Sequence, residues 1–242
     1  MKKPSVITLP LVSSKILAIE ASANQLSIAI MVNGEVITAL QHLAPYGHAA
    51  GIVPLSIEAL NDADTTFDAI THVAAGCGPG SFTGIRVALA AAKGFCIAHK
   101  AKGVGVSGLQ ALAYAAIHLT PDATTPCLVL AETRRGPFYA QIFDATAQPK
   151  GAIFEASIEQ LPSLIDEKVA GSDLRVIGTD RFAVADALTM VGVSVALPDV
   201  DEMPNASMVA CLANEQILQN QTGPLDPLYL ADPRLGPKKK SG

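Results

Sequence analysis

The stretch from Gly76 to Arg86, GCGPGSFTGIR, has the residue types of a phosphate-binding loop. An apolar run precedes it and a helical pattern of small residues follows, so backbone N–H groups at a helix start would face an anion. It contains no lysine, which excludes a Walker A motif, and its glycine spacing differs from the dinucleotide fingerprint and the nucleophile elbow. The candidate anion- or nucleotide-binding residues are Gly80, Ser81, Thr83 and Arg86. Capping of the following helix by the two hydroxyl residues is an equally favoured alternative.

The carboxylates and histidines form no metal motif in the sequence. Glu20 ends the first predicted strand, where sugar kinases and actin-like ATPases have an acidic residue that helps to hold Mg²⁺. Those proteins follow it with a glycine-bearing turn, whereas the turn here, ASANQ, has no glycine, so we interpret Glu20 as a strand-end carboxylate. No two of the histidines, at positions 42, 48, 72, 99 and 118, are four residues apart, which excludes a helical His-x-x-x-His pair. We therefore predict no metal ligand.

The remaining chemistry-bearing residues are a charged turn and four cysteines. Glu132, Arg134 and Arg135 cluster at the turn of a predicted hairpin, which is either solvated or a contact for a ligand or partner. The cysteines at positions 77, 96, 127 and 211 form no Cys-x-x-Cys pair, so they match neither a zinc site nor a dense disulfide framework. We expect reduced thiols in a cytoplasmic protein.

The composition predicts a globular chain with a sizeable core, because 50% of its 242 residues are hydrophobic and 16% are charged. The formal net charge of −5 argues against a broad basic surface for nucleic acid. We expect no contact with membranes, because no apolar run reaches the roughly 18 residues of a membrane span. The prolines within residues 1–14 predict a short N-terminal extension rather than a signal peptide.

Hydrophobic periodicity and turn residues predict an α/β protein of two lobes. The first lobe, residues 15–120, has the order βββαβαβα, and Asn33-Gly34 marks a hairpin within it. A linker rich in proline and threonine leads to a second lobe at residues 127–200. A C-terminal helix at 205–222 and an extended tail at 223–242 follow, and the sequence does not decide which lobe this helix joins.

Two helices of the first lobe have patterns that indicate contact with another helix. The helix over residues 84–99 has one face of mainly small residues, which would allow close approach: Gly84, Ala88, Ala91 and Phe95. The helix over residues 49–60 is apolar over more than one face. It is either buried on both sides within its lobe or partly covered by a partner.

The sequence contains, in this order, LAIEAS, His48 ahead of IVPLSIEAL, GCGPGSFTGIRVALAAAKGF, GVSGLQALA and AETRRGPFYAQIF. These segments resemble the bacterial TsaB (YeaZ) family of tRNA threonylcarbamoyladenosine biosynthesis proteins, over about residues 15–145 and weakly again at PLYLADP. The resemblance implies a two-lobed actin-like, sugar-kinase-like (ASKHA) ATPase fold in degenerate form. It also implies a paralogue of the transferase subunit TsaD without the catalytic and metal-binding residues.

The resemblance further implies a noncatalytic scaffold that pairs with TsaD and, with the small ATPase TsaE, serves threonylcarbamoyl transfer to N6 of adenosine 37 in tRNA. It implies a homodimer when the chain is alone, indirect contact with tRNA, no cofactor required by this chain, and ATP or ADP at the subunit interface. The implied partner-interface residues are His48, which directly precedes the helix over residues 49–60, and residues of the two helices just described: Ile52, Leu55, Gly84, Ile85, Ala88, Ala91 and Phe95.

Two other functions stay open as alternatives. The first is a standalone ATPase or kinase of the same fold, against which the glycine-free turn after Glu20 argues. The second is a glycoprotease-like peptidase, for which the sequence has no zinc motif, nucleophile elbow or cysteine–histidine signature. Family members usually have Asp where this chain has Glu20 and Glu132, so any ion or hydrogen-bond role at these two positions does not carry over by resemblance.

Overall fold

The computed structural model describes residues 14–43, 48–119, 125–133, 136–169, 173–228 and 230. Within these residues, two five-stranded sheets alternate with three layers of helices. The extension up to residue 13, most of the linker, Arg134, Arg135 and the tail from residue 231 lie outside the described residues.

The first sheet begins with three antiparallel strands: β1 (Lys15–Glu20), β2 (Gln25–Val32) and β3 (Glu35–Leu43). Asn33 and Gly34 join β2 to β3 with φ angles of 53° and 88°, and this left-handed pair is what a tight hairpin turn requires. Two strands parallel to β1, namely β4 (His72–Gly76) and β5 (Lys102–Val106), complete the order β3-β2-β1-β4-β5. The carboxyl ends of β1 and β4 therefore lie side by side.

Helices cover both faces of this sheet, and its three inner strands β2, β1 and β4 are buried along nearly their whole length. On one face lie α1 (His48–Asp62) and α2 (Phe82–His99), and on the other lies α3 (Gly108–Leu119). A short 3-10 helix at Phe67–Ala69 precedes β4. Apart from this short helix, the elements between residues 15 and 119 have the order that the sequence predicts.

The second sheet has the order β10-β9-β6-β7-β8. Its strands are β6 (Cys127–Glu132), β7 (Phe138–Phe143), β8 (Phe154–Ala156), β9 (Leu174–Gly178) and β10 (Val195–Ala196). Its outer face is covered by α4 (Leu161–Val169) and α5 (Arg181–Met190). The strand β8 has three residues, which are too few to show a periodic pattern in the sequence.

The C-terminal helix α6 (Ala206–Leu218) lies between the two sheets together with α3. Its N-terminus is fixed to β2, because the Ala206 amide donates to Ser27 Oγ at 2.9 Å and Gln25 Nε2 donates to the Pro204 carbonyl at 3.0 Å. The structure thus assigns this helix to the core shared by both lobes. Among the described residues, none of the helices is long and apolar enough to cross a membrane.

Candidate functional site

A cleft of about 800 Å³ opens between the two lobes. The first lobe contributes the turn after β1 and the glycine loop between β4 and α2. The second lobe contributes the ends of β6 and β9 and residues of β7 and β8. Residues with side chains able to bond a ligand line it from both lobes: Ser22, Asn24, Ser81, Thr83, Glu132, Thr133, Tyr139, Glu155, Thr179 and Glu202.

The glycine loop is held in place by the turn after β1. The Ser81 amide donates to the Ser22 carbonyl at 2.7 Å, and a Cβ on Gly80 would lie 2.3 Å from that same carbonyl oxygen. Gly80 also has φ of +149°, so this position requires glycine. Ser81 then caps α2, because its Oγ accepts from the Gly84 amide at 3.3 Å. The geometry therefore shows Ser81 as the N-terminal cap of α2.

Three of the four candidate anion-binding residues meet in the cleft. Gly80, Ser81 and Thr83 line it at the N-terminal end of α2. Arg86 is not part of the lining, so the structure brings together only the other three. Its guanidinium carbon lies 3.7 Å from the centre of the Phe82 ring, on an exposed side of α2. This contact is a cation–π interaction on the helix surface.

The described lining of the cleft has acidic rather than basic side chains. Glu132, Glu155 and Glu202 line it, whereas the described lining includes no lysine or arginine. Arg181 lies 3.4 Å from Glu202, and its guanidinium also donates to the Pro198 carbonyl at 2.7 Å. Within the described part of the chain, no group of three or more His, Cys, Asp or Glu side chains could hold a metal ion.

Glu20 is fully buried at the end of β1. Its Oε1 accepts from the Ser22 amide at 2.5 Å, and among the described residues its Oε2 has no hydrogen-bond partner. A Cβ on the neighbouring Gly76 would lie 1.8 Å from Oε2, so this glycine makes room for the carboxyl group. Desolvation raises the pKa of Glu20 above its ordinary value and outweighs the opposing hydrogen bonds from Ser22 and Ala21.

The replacement Glu20→Gln should change how stability depends on pH. Because folding raises the pKa of Glu20, the unfolded chain binds fewer protons than the folded chain at pH values between the two pKa values. Wild-type stability therefore falls as the pH rises through this interval and then levels off. Glutamine does not titrate, so relative to wild type the variant should gain stability as the pH is raised above about 4.3, the ordinary pKa of a glutamate side chain. Urea unfolding across this range measures the difference. A difference that does not change with pH would contradict this interpretation.

A second candidate site is a surface rather than a cleft. The helices α1 and α2 expose a set of apolar residues that we call the outer face: Val53, Ile57, Ala90, Gly94 and Ile97. The exposed fractions of Val53, Ile57 and Ile97 are 48%, 47% and 82%. Large exposed apolar side chains on neighbouring elements are typical of protein interaction sites.

Comparison with known proteins identifies the family. A profile of the family described as "TsaD: tRNA N6-adenosine threonylcarbamoyltransferase" matches residues 40–160, half of the chain. The tRNA threonylcarbamoyladenosine biosynthesis protein TsaB of Escherichia coli is 32% identical over 125 residues, which cover 52% of this chain and 53% of that protein. The Haemophilus influenzae protein of the same name is 26% identical over 230 residues, which cover 89% and 92%. The chain belongs to the TsaB (YeaZ) family.

Solved structures agree on the fold of this TsaB family member. A Pseudomonas aeruginosa protein described as similar to peptidase YeaZ superposes with a TM-score of 0.73 at 23% identity, covering 90% of this chain and 100% of that one. The ROK hexokinase of Thermus thermophilus superposes with a TM-score of 0.54 at 10% identity, covering 85% and 99%. The predicted two-lobed actin-like, sugar-kinase-like fold is therefore confirmed.

The structure places most of the interface residues that the TsaB resemblance implies inside the first lobe. Four of them are buried inside the first lobe and present no surface to a partner: Ile52, Gly84, Ile85 and Ala88. Three others are half-buried and pack against the same core: Leu55, Ala91 and Phe95. His48 is the first residue of α1, and its side chain lies outside the described residues.

The sides of α1 and α2 that the sequence indicates for contact with another helix face the core of the first lobe. The close approach that Gly84 allows is to the Ala21 carbonyl, since a Cβ at this position would lie 1.9 Å from that oxygen. The outer face nevertheless carries a readable signal, because Ala90, Gly94 and Ile97 recur at helical spacing. The second-lobe residues of the cleft, such as Tyr139 and Thr179, have no local signal of this kind.

Proposed function

We propose that this protein takes part in tRNA threonylcarbamoyladenosine biosynthesis as a noncatalytic subunit that binds a TsaD-like transferase. The named relatives are tRNA threonylcarbamoyladenosine biosynthesis proteins, which supports the pathway. The observation that carries the partner role is the outer face of α1 and α2. Binding another protein would remove the exposed apolar surface of Val53, Ile57 and Ile97 from water, which favours association.

The noncatalytic part of the proposal is supported by what the loop residues do within the chain. The Ser81 hydroxyl accepts from the Gly84 amide and so caps α2. The Glu20 carboxyl is buried against Gly76 and accepts from the Ser22 amide. These side chains hold the glycine loop in shape, which favours a scaffold over ATP turnover by this chain alone.

The proposed assembly includes further components. A TsaE-like ATPase joins the pair, and this chain contacts tRNA only indirectly, through the partner. This chain requires no cofactor of its own, and ATP or ADP binds at the subunit interface. When the partner is missing, a second copy of the chain covers the outer face and gives a homodimer.

A mixing experiment tests the proposal. Size-exclusion chromatography with light scattering is carried out on this chain, on the TsaD-like protein of the same organism and on their mixture, with and without ADP. We expect a dimer for the chain alone and a one-to-one complex for the mixture. A chain that stays unassociated under all conditions would contradict the partner role, and metal-dependent ATP hydrolysis by the pure chain would contradict the noncatalytic role.

A further inference from the structure

The described residues after α6 run back across the first lobe and reach the cleft. We call residues 223–228 and 230 of this segment the C-terminal strap. It starts at the free edge of the first sheet, where the Gly105 amide of β5 donates to the Gly223 carbonyl at 2.9 Å. It ends with Leu228 and Leu230, which line the cleft together with Gly80 and Ser81 of the glycine loop.

The first part of the strap is firmly anchored. Leu225 is only 8% exposed and packs into the core beneath α2. Two glycines of β5 make room for this contact, since a Cβ on Gly103 would lie 2.5 Å from Leu225 Cδ1 and one on Gly105 would lie 1.9 Å from the Pro224 carbonyl oxygen. Moving this part would expose core side chains, so it should stay in place while the chain is folded.

The second part of the strap is held by weaker contacts. The Leu228 amide donates to the Cys77 carbonyl at 2.9 Å, just before the glycine loop. Asp226 pairs with Lys93 of α2 at 3.0 Å, but the two side chains are 66% and 53% exposed. An exposed ion pair contributes little, and Leu228 and Leu230 are each 38% exposed. Segments held in this way open locally without global unfolding.

We propose that Asp226, Leu228 and Leu230 form a lid on the cleft that opens about the anchored Leu225. In the closed state the two leucines cover the approach to Gly80 and Ser81, and the Lys93–Asp226 pair latches the lid to α2. A ligand that reaches the glycine loop from the cleft then requires the open state. The lid thus limits how often the cleft is available.

Two amides of the full-length protein report the motion, and hydrogen exchange followed by NMR can measure both. The Leu228 amide should exchange at least about tenfold faster than the Gly105 amide, because only the former lies in the part that opens. The variant Asp226→Asn should speed exchange at Leu228 about two- to fivefold and leave Gly105 unchanged. The matched control is Asp68→Asn, which removes the contact of Asp68 on the 3-10 helix with His99 at the end of α2 and should leave both amides unchanged.

A second reporter tests whether the same motion uncovers the cleft. The chain has no tryptophan, so Leu230→Trp creates a single fluorescent probe in the lining. Acrylamide quenching of this probe should increase when Asp226→Asn is added, and stay the same when Asp68→Asn is added. Equal exchange rates at Leu228 and Gly105, or no effect of Asp226→Asn on exchange and quenching, would overturn the lid and leave a static strap.

Discussion

Replacing Gly84 with alanine is expected to destabilise the isolated chain by about 3 kcal/mol, because the new methyl group has no space. Its Cβ would lie 1.9 Å from the Ala21 carbonyl oxygen, a main-chain atom in the turn between β1 and β2. The same turn holds the glycine loop through the Ser22 carbonyl, so it cannot shift without loosening the cleft wall. Urea or thermal unfolding of the purified variant measures the loss.

The matched control for this prediction lies on the same helix. Gly94 is exposed, and a Cβ added to it would meet no atom within 4 Å. Gly94→Ala should therefore stabilise the chain by about 0.5–1 kcal/mol, the difference in helix propensity between the two residues. If Gly84→Ala instead left the chain as stable as wild type and abolished only the complex with a TsaD-like partner, Gly84 would serve a partner helix, as the sequence predicts.

The order of the elements can be predicted from the sequence because its signals are local. Asn33 and Gly34 adopt the left-handed conformations that such a pair favours, whatever the rest of the chain does. Ser81 directly precedes α2 and caps its first turn. The strand β8 shows the limit of this reasoning, because three residues are too few for an alternating pattern.

The surroundings of each helix face could not be predicted, because periodicity shows that a face is apolar but not what covers it. Ala88 and Ile85 lie on such a face and are covered by the core of their own lobe. Ile97 belongs to another face of the same helix and is 82% exposed. The cleft could not be predicted for a related reason, since Ser22, Glu155 and Leu228 meet only after the whole chain has folded.

The variant Ile97→Glu is expected to weaken binding of a TsaD-like partner about 100-fold or more, the effect of losing a central interface contact. Ile97 is the most exposed large apolar side chain of the outer face. In a complex that buries position 97, the glutamate carboxylate would be removed from water with no opposite charge to pair with, which costs free energy. In the free chain the same glutamate would remain solvated, so the fold should be preserved.

The control for this variant is Met190→Glu on the second lobe. Met190 is 89% exposed and is the last residue of α5, so a glutamate there places the same charge near a helix C-terminus, as it does at Ile97 near the end of α2. Circular dichroism should show both variants folded, and isothermal titration against the partner should show the loss of affinity for Ile97→Glu alone. Equal affinities for the two variants would mean that the partner does not cover the outer face. A loss for Met190→Glu alone would move the partner site to α5, where the adjoining Val191 is also exposed.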